Sequence, residues 1–287
     1  MKEIEIYVTI PVVPNRSFCV QRVIDSYLSQ TFPPKKVIIN VCNKYTRFPN
    51  EAYDTSPLEK YKDNEIVYIN YLNKDYGPSS HVIGATQIIE LNPNKIQHLF
   101  ICDDDKILPP HKLEAFAEAI LEKPEASHVN VIRPCQVTGA TRYGKANFKP
   151  AFHFDISYGS SGWSLPLRTM QKFEKLYDQV VEEAPTLIYQ DDILFSLLLH
   201  DDNVKIKKIK NAINNEIDNP EGTQINAISR GHNPVNEGQL VAGVMIRPGI
   251  RDKGITIVNK SWKDFIMKNF PHINSWTNGT TLDRLQA

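Results

Sequence analysis

The sequence contains little cysteine, and its cysteines form no pattern that would stabilise a small fold or hold a structural metal. Four cysteines occur among 287 residues, and they lie far apart along the chain. Disulfide scaffolds and zinc-binding modules need dense or closely paired cysteines, so both classes are excluded. We therefore expect reduced, mostly packed thiols at Cys19, Cys42, Cys102 and Cys135.

The sequence also lacks an excess of charge of either sign, and it lacks a long apolar run. With 33 basic and 33 acidic residues, it has no bulk field that would favour nucleic acid or an anionic membrane. No apolar run reaches the roughly 20 residues of a membrane-spanning helix, and residues 1 to 5 do not resemble a signal peptide. We expect a cytoplasmic protein, a monomer or weak dimer, with no nucleic-acid partner and no membrane span.

Short β-rich runs alternate with helical patterns in the first half of the sequence. Strands are predicted at residues 4 to 10, 36 to 41, 65 to 70 and 97 to 102, with helical spacing of apolar residues between most of them. Such alternation is typical of a sheet built from parallel crossovers. The pattern predicts an α/β fold with a mostly parallel, Rossmann-like central sheet flanked by helices.

Three segments are predicted along the chain. Residues 1 to 105 form the first half of one domain, residues 106 to 210 form its second half, and residues 211 to 287 form a C-terminal extension. The extension begins with Asn-, Gly- and Pro-rich residues 211 to 236, which predict a flexible loop that becomes ordered with ligand. A final helix is predicted near residues 260 to 269.

Three adjacent aspartates, Asp103, Asp104 and Asp105, directly follow the apolar strand at residues 97 to 102. Neighbouring carboxylates repel one another and lose solvation at the end of a buried strand, so a cation is expected beside them. Ligands of open α/β sheets lie at this end of the strands, and oxygen donors suit Mg²⁺ or Mn²⁺ on a diphosphate. The alternative is a solvated acidic turn that caps the next helix. A phosphatase is disfavoured because Ile107 stands where such enzymes carry a hydroxyl.

The residues that follow the predicted strands, taken in order, resemble the GT-A class of glycosyltransferases. The ordered set is Thr9-Ile10-Pro11 with Arg16, then Asn43, then Asp75-Tyr76-Gly77-Pro78, and finally the three aspartates. The resemblance covers roughly residues 4 to 200 and fits inverting, family-2-like members. A looser similarity is to the enzymes with which large algal viruses build capsid glycans. The resemblance implies a GT-A fold whose smaller sheet lies on the acceptor side.

The resemblance also implies roles for individual residues. One group would surround the nucleotide: Thr9, Ile10, Pro11, Arg16, Asn43, Asp75 and Gly77. Asp103 and Asp104 would meet ribose or sugar hydroxyls, and Asp105 would be the main metal ligand, with Asp103 as a second ligand. His81 stands where relatives often carry a lysine. Either a weaker, titratable cation that faces phosphate or a hydrogen-bonded core histidine is expected there.

A glycine-rich turn at residues 159 to 163 resembles the wall between donor and acceptor in these enzymes. Gly162 would permit close approach of the backbone to a sugar, and Trp163 would offer an apolar face for stacking. The alternative is an ordinary tight turn with a core tryptophan. Further along, Arg230 and His232 lie in the predicted loop, where His232 would add a metal ligand; the alternative is a surface loop.

Asp191 and Asp192 open a predicted helix and resemble the acidic pair that supplies the base of inverting enzymes. A base is needed because a sugar hydroxyl is a poor nucleophile until its proton is removed. Asp192 is the first choice and Asp191 the second, and capping of the helix by both carboxylates is the alternative.

The sequence thus favours a metal-dependent glycosyltransferase that moves a sugar from a nucleotide diphosphate donor to a hydroxyl of a glycan or glycoprotein acceptor. The resemblance implies a UDP-sugar donor, inversion, and Mn²⁺ or Mg²⁺ as cofactor. A retaining transferase and a non-catalytic nucleotide-sugar-binding protein remain alternatives. A nucleotidyltransferase is a further alternative, although residues 11 to 14, Pro-Val-Val-Pro, replace the glycine-rich loop that such enzymes carry.

Overall fold

The computed structural model describes residues 3–46, 48–130, 132–137, 152–157, 162–209, 217–218, 255–257 and 260–272. Three sheets lie in these ranges, and the largest has seven strands. The strands are β1 (Glu3–Pro11), β2 (Lys36–Cys42), β3 (Val67–Leu72), β4 (Lys95–Ile101), β5 (Lys106–Ile107), β6 (Ser127–Val129), β7 (Ile132–Val137), β8 (Phe152–Ser157), β9 (Trp163–Pro166), β10 (Ile206–Lys208), β11 (Ile217–Asp218) and β12 (Ile255–Ile257).

Helices flank the large sheet. The α-helices are α1 (Val20–Leu28), α2 (Ser80–Ile88), α3 (Lys112–Glu122), α4 (Leu167–Met170), α5 (Phe173–Glu183), α6 (Asp191–Asp201) and α7 (Lys260–Asn269). Short 3₁₀ helices lead into α1 at Pro14–Cys19, into α2 at Gly77–Ser79 and into α6 at Pro185–Tyr189. Each of these three begins with a proline in its first turn, which suits the first positions of a helix. None of the helices in the described ranges is both long enough and apolar enough to span a membrane.

The central sheet has the order β10-β6-β9-β4-β1-β2-β3. β1 pairs in parallel with β2 and β4, β2 with β3, and β6 with β10, whereas β9 runs antiparallel to both β4 and β6. The middle strands are buried on both faces, in agreement with their nearly continuous apolar runs. The predicted α/β fold with a mostly parallel sheet flanked by helices is therefore confirmed.

Two smaller sheets accompany the large one. One has the order β12-β7-β8, and the other joins β5 to β11. β5 comes directly after the three aspartates, so the β11 segment pairs with the chain next to them. The smaller sheet predicted from the sequence thus exists, and its acceptor-side role stays a prediction.

The structure contains short strands that the sequence pattern did not predict, and β9 is the one that lies inside the large sheet. Trp163, predicted as the end of a glycine-rich turn, forms β9 together with residues 164 to 166, and Ser164 lies opposite Phe100 in the large sheet. Four residues ended by Pro166 are too short to show a period of two, so only the neighbouring strands reveal this strand. Two helices, α4 and α5, follow β9, and α7 has the bounds predicted from the sequence.

Candidate active site

The site forms at the carboxyl ends of β1 and β4, which are neighbouring parallel strands of the large sheet. Thr9 lies opposite Ile101 in the parallel register, so the segments that follow both strands are neighbours. Arg16, from the 3₁₀ helix after β1, places its Nη2 atom 2.8 Å from Asp104 Oδ1 and its Nη1 atom 3.0 Å from Asp105 Oδ2. Arg16 thus places a positive charge between two of the three aspartates.

Arg16 leaves part of each carboxylate unsatisfied. Asp104 is 2% exposed and Asp105 is 5% exposed. The second oxygens, Asp104 Oδ2 and Asp105 Oδ1, are buried and have no hydrogen-bond partner in the part of the chain that the structure describes. The same holds for Arg16 Nε and for the hydroxyl of Tyr53. Several polar atoms at one sheet edge are thus oriented for a partner that the described chain does not provide.

Burial also acts on the charges of the aspartates. It raises the pKa of Asp103 to about 6, with the neighbouring Asp105 adding to the effect and Arg16 opposing it. Burial raises the pKa of Asp104 to about 7, although Arg16 favours its charged form. The raised pKa values of Asp103 and Asp104 mean that one arginine does not fully compensate three crowded carboxylates. Additional positive charge would therefore be stabilised here.

The opposite side of the site is formed by the first turn of α6. The charge of Asp191 contributes to the raised pKa of Asp103, so the two carboxylates lie within electrostatic reach of each other. Asp191 Oδ2 lies 3.1 Å from His81 Nε2 at the start of α2. Asp192 is partly exposed, and its carbonyl oxygen accepts a hydrogen bond from Ser196 Oγ at 2.8 Å. The observed contact of Asp191 is therefore with His81, and its charge adds to the effect of burial on Asp103.

A buried polar network supports this sheet edge. Asn40 Nδ2 donates to Thr9 Oγ1 at 2.9 Å, and Asn70 Nδ2 donates to Asn40 Oδ1 at 2.9 Å. Thr9 Oγ1 donates in turn to the carbonyl of His81 at 2.6 Å, and Asn70 Nδ2 also donates to the carbonyl of Gly84 at 3.0 Å. The network fixes α2 on three strands. Sequence reasoning missed Asn40 and Asn70, although a polar residue inside an apolar strand was the available signal.

The residues assigned to the nucleotide lie near the same edge, and several hold loops. Ile10 is fully buried in β1, and Pro11 ends that strand. Asp75 accepts the Thr46 N–H with Oδ2 at 2.7 Å and the Gly77 N–H with Oδ1 at 2.8 Å, so both of its oxygens bind backbone. Exposed Asn43 donates its side-chain amide to Asn73 Oδ1 at 3.4 Å. Their contacts with a nucleoside, and those of Thr9 and Arg16, stay predictions.

The loop after β2 contributes two tyrosines that sequence reasoning did not identify. The hydroxyl of Tyr45 accepts the Cys42 N–H at 3.1 Å, whereas that of Tyr53 is unpartnered among described residues. Burial raises the pKa of each, and the charge of Asp104 adds to it. Both tyrosines are thus buried close enough to Asp104 for its charge to act on them. Local sequence holds no signal for this, because the loop is polar and irregular.

Gly162 and Trp163 belong to the core in the structure. Trp163 is fully buried in β9, and its Nε1 donates to Ser127 Oγ at 2.6 Å. Its ring meets Phe195 edge to face at 5.9 Å. Gly162 has a φ of +92°, and a Cβ there would come within 2.6 Å of Phe100 Cζ. These contacts match the alternative of a core tryptophan and do not support an exposed stacking face, while residues 159 to 161 of the predicted turn lie outside the described residues.

The predicted metal ligands are only partly described. Asp103 and Asp105 lie at the site as given above, whereas His232 lies outside the described residues, as does Arg230. Within the described ranges, no group of three or more His, Cys, Asp or Glu side chains is arranged to hold a metal ion. A magnesium ion on a nucleotide commonly takes only one or two protein carboxylates, with phosphate and water completing its shell.

Comparisons with known proteins give distant structural similarity. Neither a protein-family model nor a curated protein matches the sequence. Among solved structures, residues 1–349 of S. aureus TarS in complex with UDP match at 15% identity and a TM-score of 0.42, over 72% of this chain and 58% of that one. The complex of the same fragment with UDP-GlcNAc matches at 16% identity and a TM-score of 0.31, over 50% and 37%. A structure of S. aureus TarS matches at 12% identity and a TM-score of 0.38, over 68% and 34%. The protein spans less than two thirds of each of these chains.

Proposed function

We propose that the protein is a glycosyltransferase that moves a sugar from a nucleoside diphosphate donor, a UDP-sugar, to a hydroxyl of a glycan acceptor with inversion. One observation carries the proposal. Asp104 Oδ2 and Asp105 Oδ1 are buried without a hydrogen-bond partner in the described chain, at the carboxyl ends of parallel strands. This edge is where open α/β sheets bind nucleotides.

The donor set fits a divalent cation bound together with a diphosphate. Mg²⁺ and Mn²⁺ prefer oxygen ligands, and the two free oxygens belong to neighbouring carboxylates. Asp105, with help from Asp103 or Asp104, would hold the cation. When bound, such a cation would stabilise the negative charge of the departing diphosphate.

The chain's own residues would supply the remaining requirements. In the transfer, the acceptor oxygen forms a bond to the anomeric carbon, while the bond from that carbon to the β-phosphate oxygen breaks and its electron pair leaves with the nucleoside diphosphate. The proton of the acceptor hydroxyl passes to a carboxylate in the first turn of α6, supplied by Asp191 or Asp192. A partly exposed carboxylate can accept a proton from a substrate that enters from solvent.

Calorimetric titration of the full chain with UDP, with and without Mn²⁺, tests the donor site. We expect Mn²⁺ to increase the affinity for UDP on the order of tenfold or more, since the cation would offset the repulsion between the aspartates and the diphosphate. Asp105→Asn should remove this increase. Asp63→Asn is the matched control. Asp63 is an exposed carboxylate before β3, so it lies at the amino ends of the strands, away from the site. If UDP fails to bind with Mn²⁺ present, the proposed donor site is incorrect.

Donor hydrolysis then identifies the sugar. A panel of UDP-hexoses is incubated with the protein and Mn²⁺, and released UDP is measured. We expect one donor to be hydrolysed faster than the others, and NMR of the transferred sugar to show an inverted anomeric centre. A product with the donor's configuration would contradict inversion while leaving sugar transfer intact.

A further inference from the structure

His81 and Asp191 connect two helices that are far apart in sequence. His81 Nε2 lies 3.1 Å from Asp191 Oδ2, across 110 positions of the chain. The side chain of His81 is 6% exposed and that of Asp191 is 20% exposed. The contact therefore lies at the boundary between the core and the open site. One oxygen of Asp191 is thus held by His81, while the carboxylate as a whole stays partly exposed.

The backbone and ring of His81 are fixed independently of Asp191. Its carbonyl accepts the hydrogen bond from Thr9 Oγ1 at 2.6 Å, which ties the start of α2 to β1. Its ring packs on Phe195, with 5.4 Å between ring centroids and a tilt of 42°. Phe195 lies one turn after Asp191 in α6, so the same helix presents both contacts. His81 is a rigid support for the carboxylate.

The hydrogen-bond pattern of His81 selects a tautomer. The Nδ1 atom is buried and has no hydrogen-bond partner in the described ranges, whereas Nε2 faces a carboxylate. The tautomer with its hydrogen on Nε2 donates to Asp191 and leaves only a lone pair on Nδ1. Relatives often carry a lysine at this position, which implied that His81 would pair with phosphate. The structure does not support that role, because Nε2 already faces Asp191.

We propose that His81 is a positioning residue that holds Asp191, rather than Asp192, as the carboxylate that accepts the proton of the acceptor hydroxyl. The inference rests on the proposed function. Asp191 Oδ2 receives the Nε2–H of His81, and Oδ1 accepts the proton as the acceptor oxygen attacks. A hydrogen-bond donor that binds one oxygen of a reacting carboxylate orients the other oxygen. The hydrogen-bond donor itself does not touch the substrate. The side chain of Asp191 is 20% exposed in the first turn of α6, so a substrate can reach this carboxylate from solvent.

Two amide substitutions of His81 differ only in reach. In His81→Gln the amide nitrogen lies near the position of Nε2 and can still donate to Asp191. In His81→Asn the same amide is one methylene shorter and cannot reach it. We expect His81→Asn to lower kcat for sugar transfer by about 10- to 100-fold, because a small displacement of a reacting group has effects of this size. His81→Gln should recover most of kcat.

Binding measurements separate positioning from donor contact. The KM for the UDP-hexose and the Kd for UDP with Mn²⁺ should stay near wild-type values in both His81 variants, since His81 does not touch the nucleotide. Asp191→Asn should lower kcat at least as much as His81→Asn, whereas Asp192→Asn should lower it much less. Equal kcat values for the two His81 variants would overturn the inference, as would a larger loss in Asp192→Asn than in Asp191→Asn.

A spectroscopic measurement tests the contact without turnover. Long-range ¹H–¹⁵N correlation spectra of the histidine rings report the tautomer, and the His81 signals are identified by their loss in His81→Gln. We expect an Nε2–H tautomer that changes in Asp191→Ala. If no UDP-hexose turns over, the transferase assignment and the role of the pair in it are both overturned. If the wild-type protein transfers sugar but the ring signals of His81 are the same in Asp191→Ala as in the wild type, only the His81 inference fails.

Discussion

Arg16 Nη2 lies 2.8 Å from Asp104 Oδ1, and this contact joins the segment after β1 to the segment after β4. The side chains of Arg16 and Asp104 are 13% and 3% exposed, so the ion pair is removed from water on both sides. A buried pair of this kind is costly to break, because removal of one partner leaves an uncompensated charge. Arg16 therefore links the stability of the fold to the geometry of the site.

Arg16→Met should destabilise the protein by about 3–5 kcal/mol, because two buried carboxylates lose their cation. Urea unfolding of the variant measures this loss. In an Asp104→Asn background, the same substitution should cost clearly less, because one of the two charges has been removed. Equal losses in both backgrounds would show that Arg16 acts by packing alone.

Gly84→Ala should disrupt the network that holds α2 on the sheet. A Cβ at this position would lie 2.1 Å from Asn40 Oδ1 and 3.0 Å from Asn70 Nδ2. Overpacking of a buried site costs about 1–3 kcal/mol, and the displaced hydrogen bonds add to this. Urea unfolding should show that Gly84→Ala costs less when Asn40 is also alanine. If Gly84→Ala alone left the urea midpoint of unfolding unchanged, the close packing of α2 on Asn40 and Asn70 would be contradicted.

Gly162→Ala and Gly77→Ala distinguish crowding from backbone strain. Gly162 has a φ of +92°, and an added Cβ would lie 2.6 Å from Phe100 Cζ, whereas Gly77 has a φ of +60° and its added Cβ would lie 3.8 Å from Tyr189. Gly77→Ala should therefore cost about 1–2 kcal/mol from strain alone, and Gly162→Ala should cost more. Thermal unfolding of both variants makes the comparison. Similar losses would mean that Phe100 moves aside readily.

The stability of the protein should fall in mild acid because of His98. Burial lowers the pKa of this histidine from 6.5 to about 4, while its Nε2 donates to the Pro124 carbonyl at 2.8 Å. Below pH 6.5 the unfolded chain binds a proton that the folded chain does not bind until about pH 4. Stability contributed by the neutral ring is complete above pH 6.5 and is lost as the pH falls toward 4, by about 3 kcal/mol.

His98→Gln is the matched variant for this pH dependence, because glutamine can still donate to the Pro124 carbonyl and does not titrate. Urea unfolding at pH 7 and at pH 4.5 should show a smaller acid loss in the variant than in the wild type. The same loss in both proteins would assign the acid sensitivity to other groups.

Much of the architecture could be predicted because it depends on local patterns. The apolar runs that became β1, β2 and β4 predicted a parallel sheet, and the helical spacing at residues 260 to 269 predicted α7 with its observed bounds. The position of Asp103 at the end of a buried strand followed from the same pattern. Short strands such as β9 could not be predicted, since their neighbours in the sheet determine them.

The partners of the site residues could not be predicted in the same way. Arg16 and Asp105 are 89 positions apart, and Asn40 and Asn70 are 30 apart, so no local period connects them. Tyr53 lies in an irregular loop and comes near Asp104 only when that loop folds back. Such contacts depend on strand order and register rather than on residue type.

Local sequence pattern was sufficient for the fold class and for the place of the acidic cluster, because burial periodicity and strand ends are properties of neighbouring residues. The tertiary structure decided which side chains are in contact: Arg16 pairs with two carboxylates, and His81 binds Asp191. It also decided that Trp163 is buried in the core. These pairings arise when parallel strands bring distant segments to one sheet edge, where each buried polar atom needs a partner.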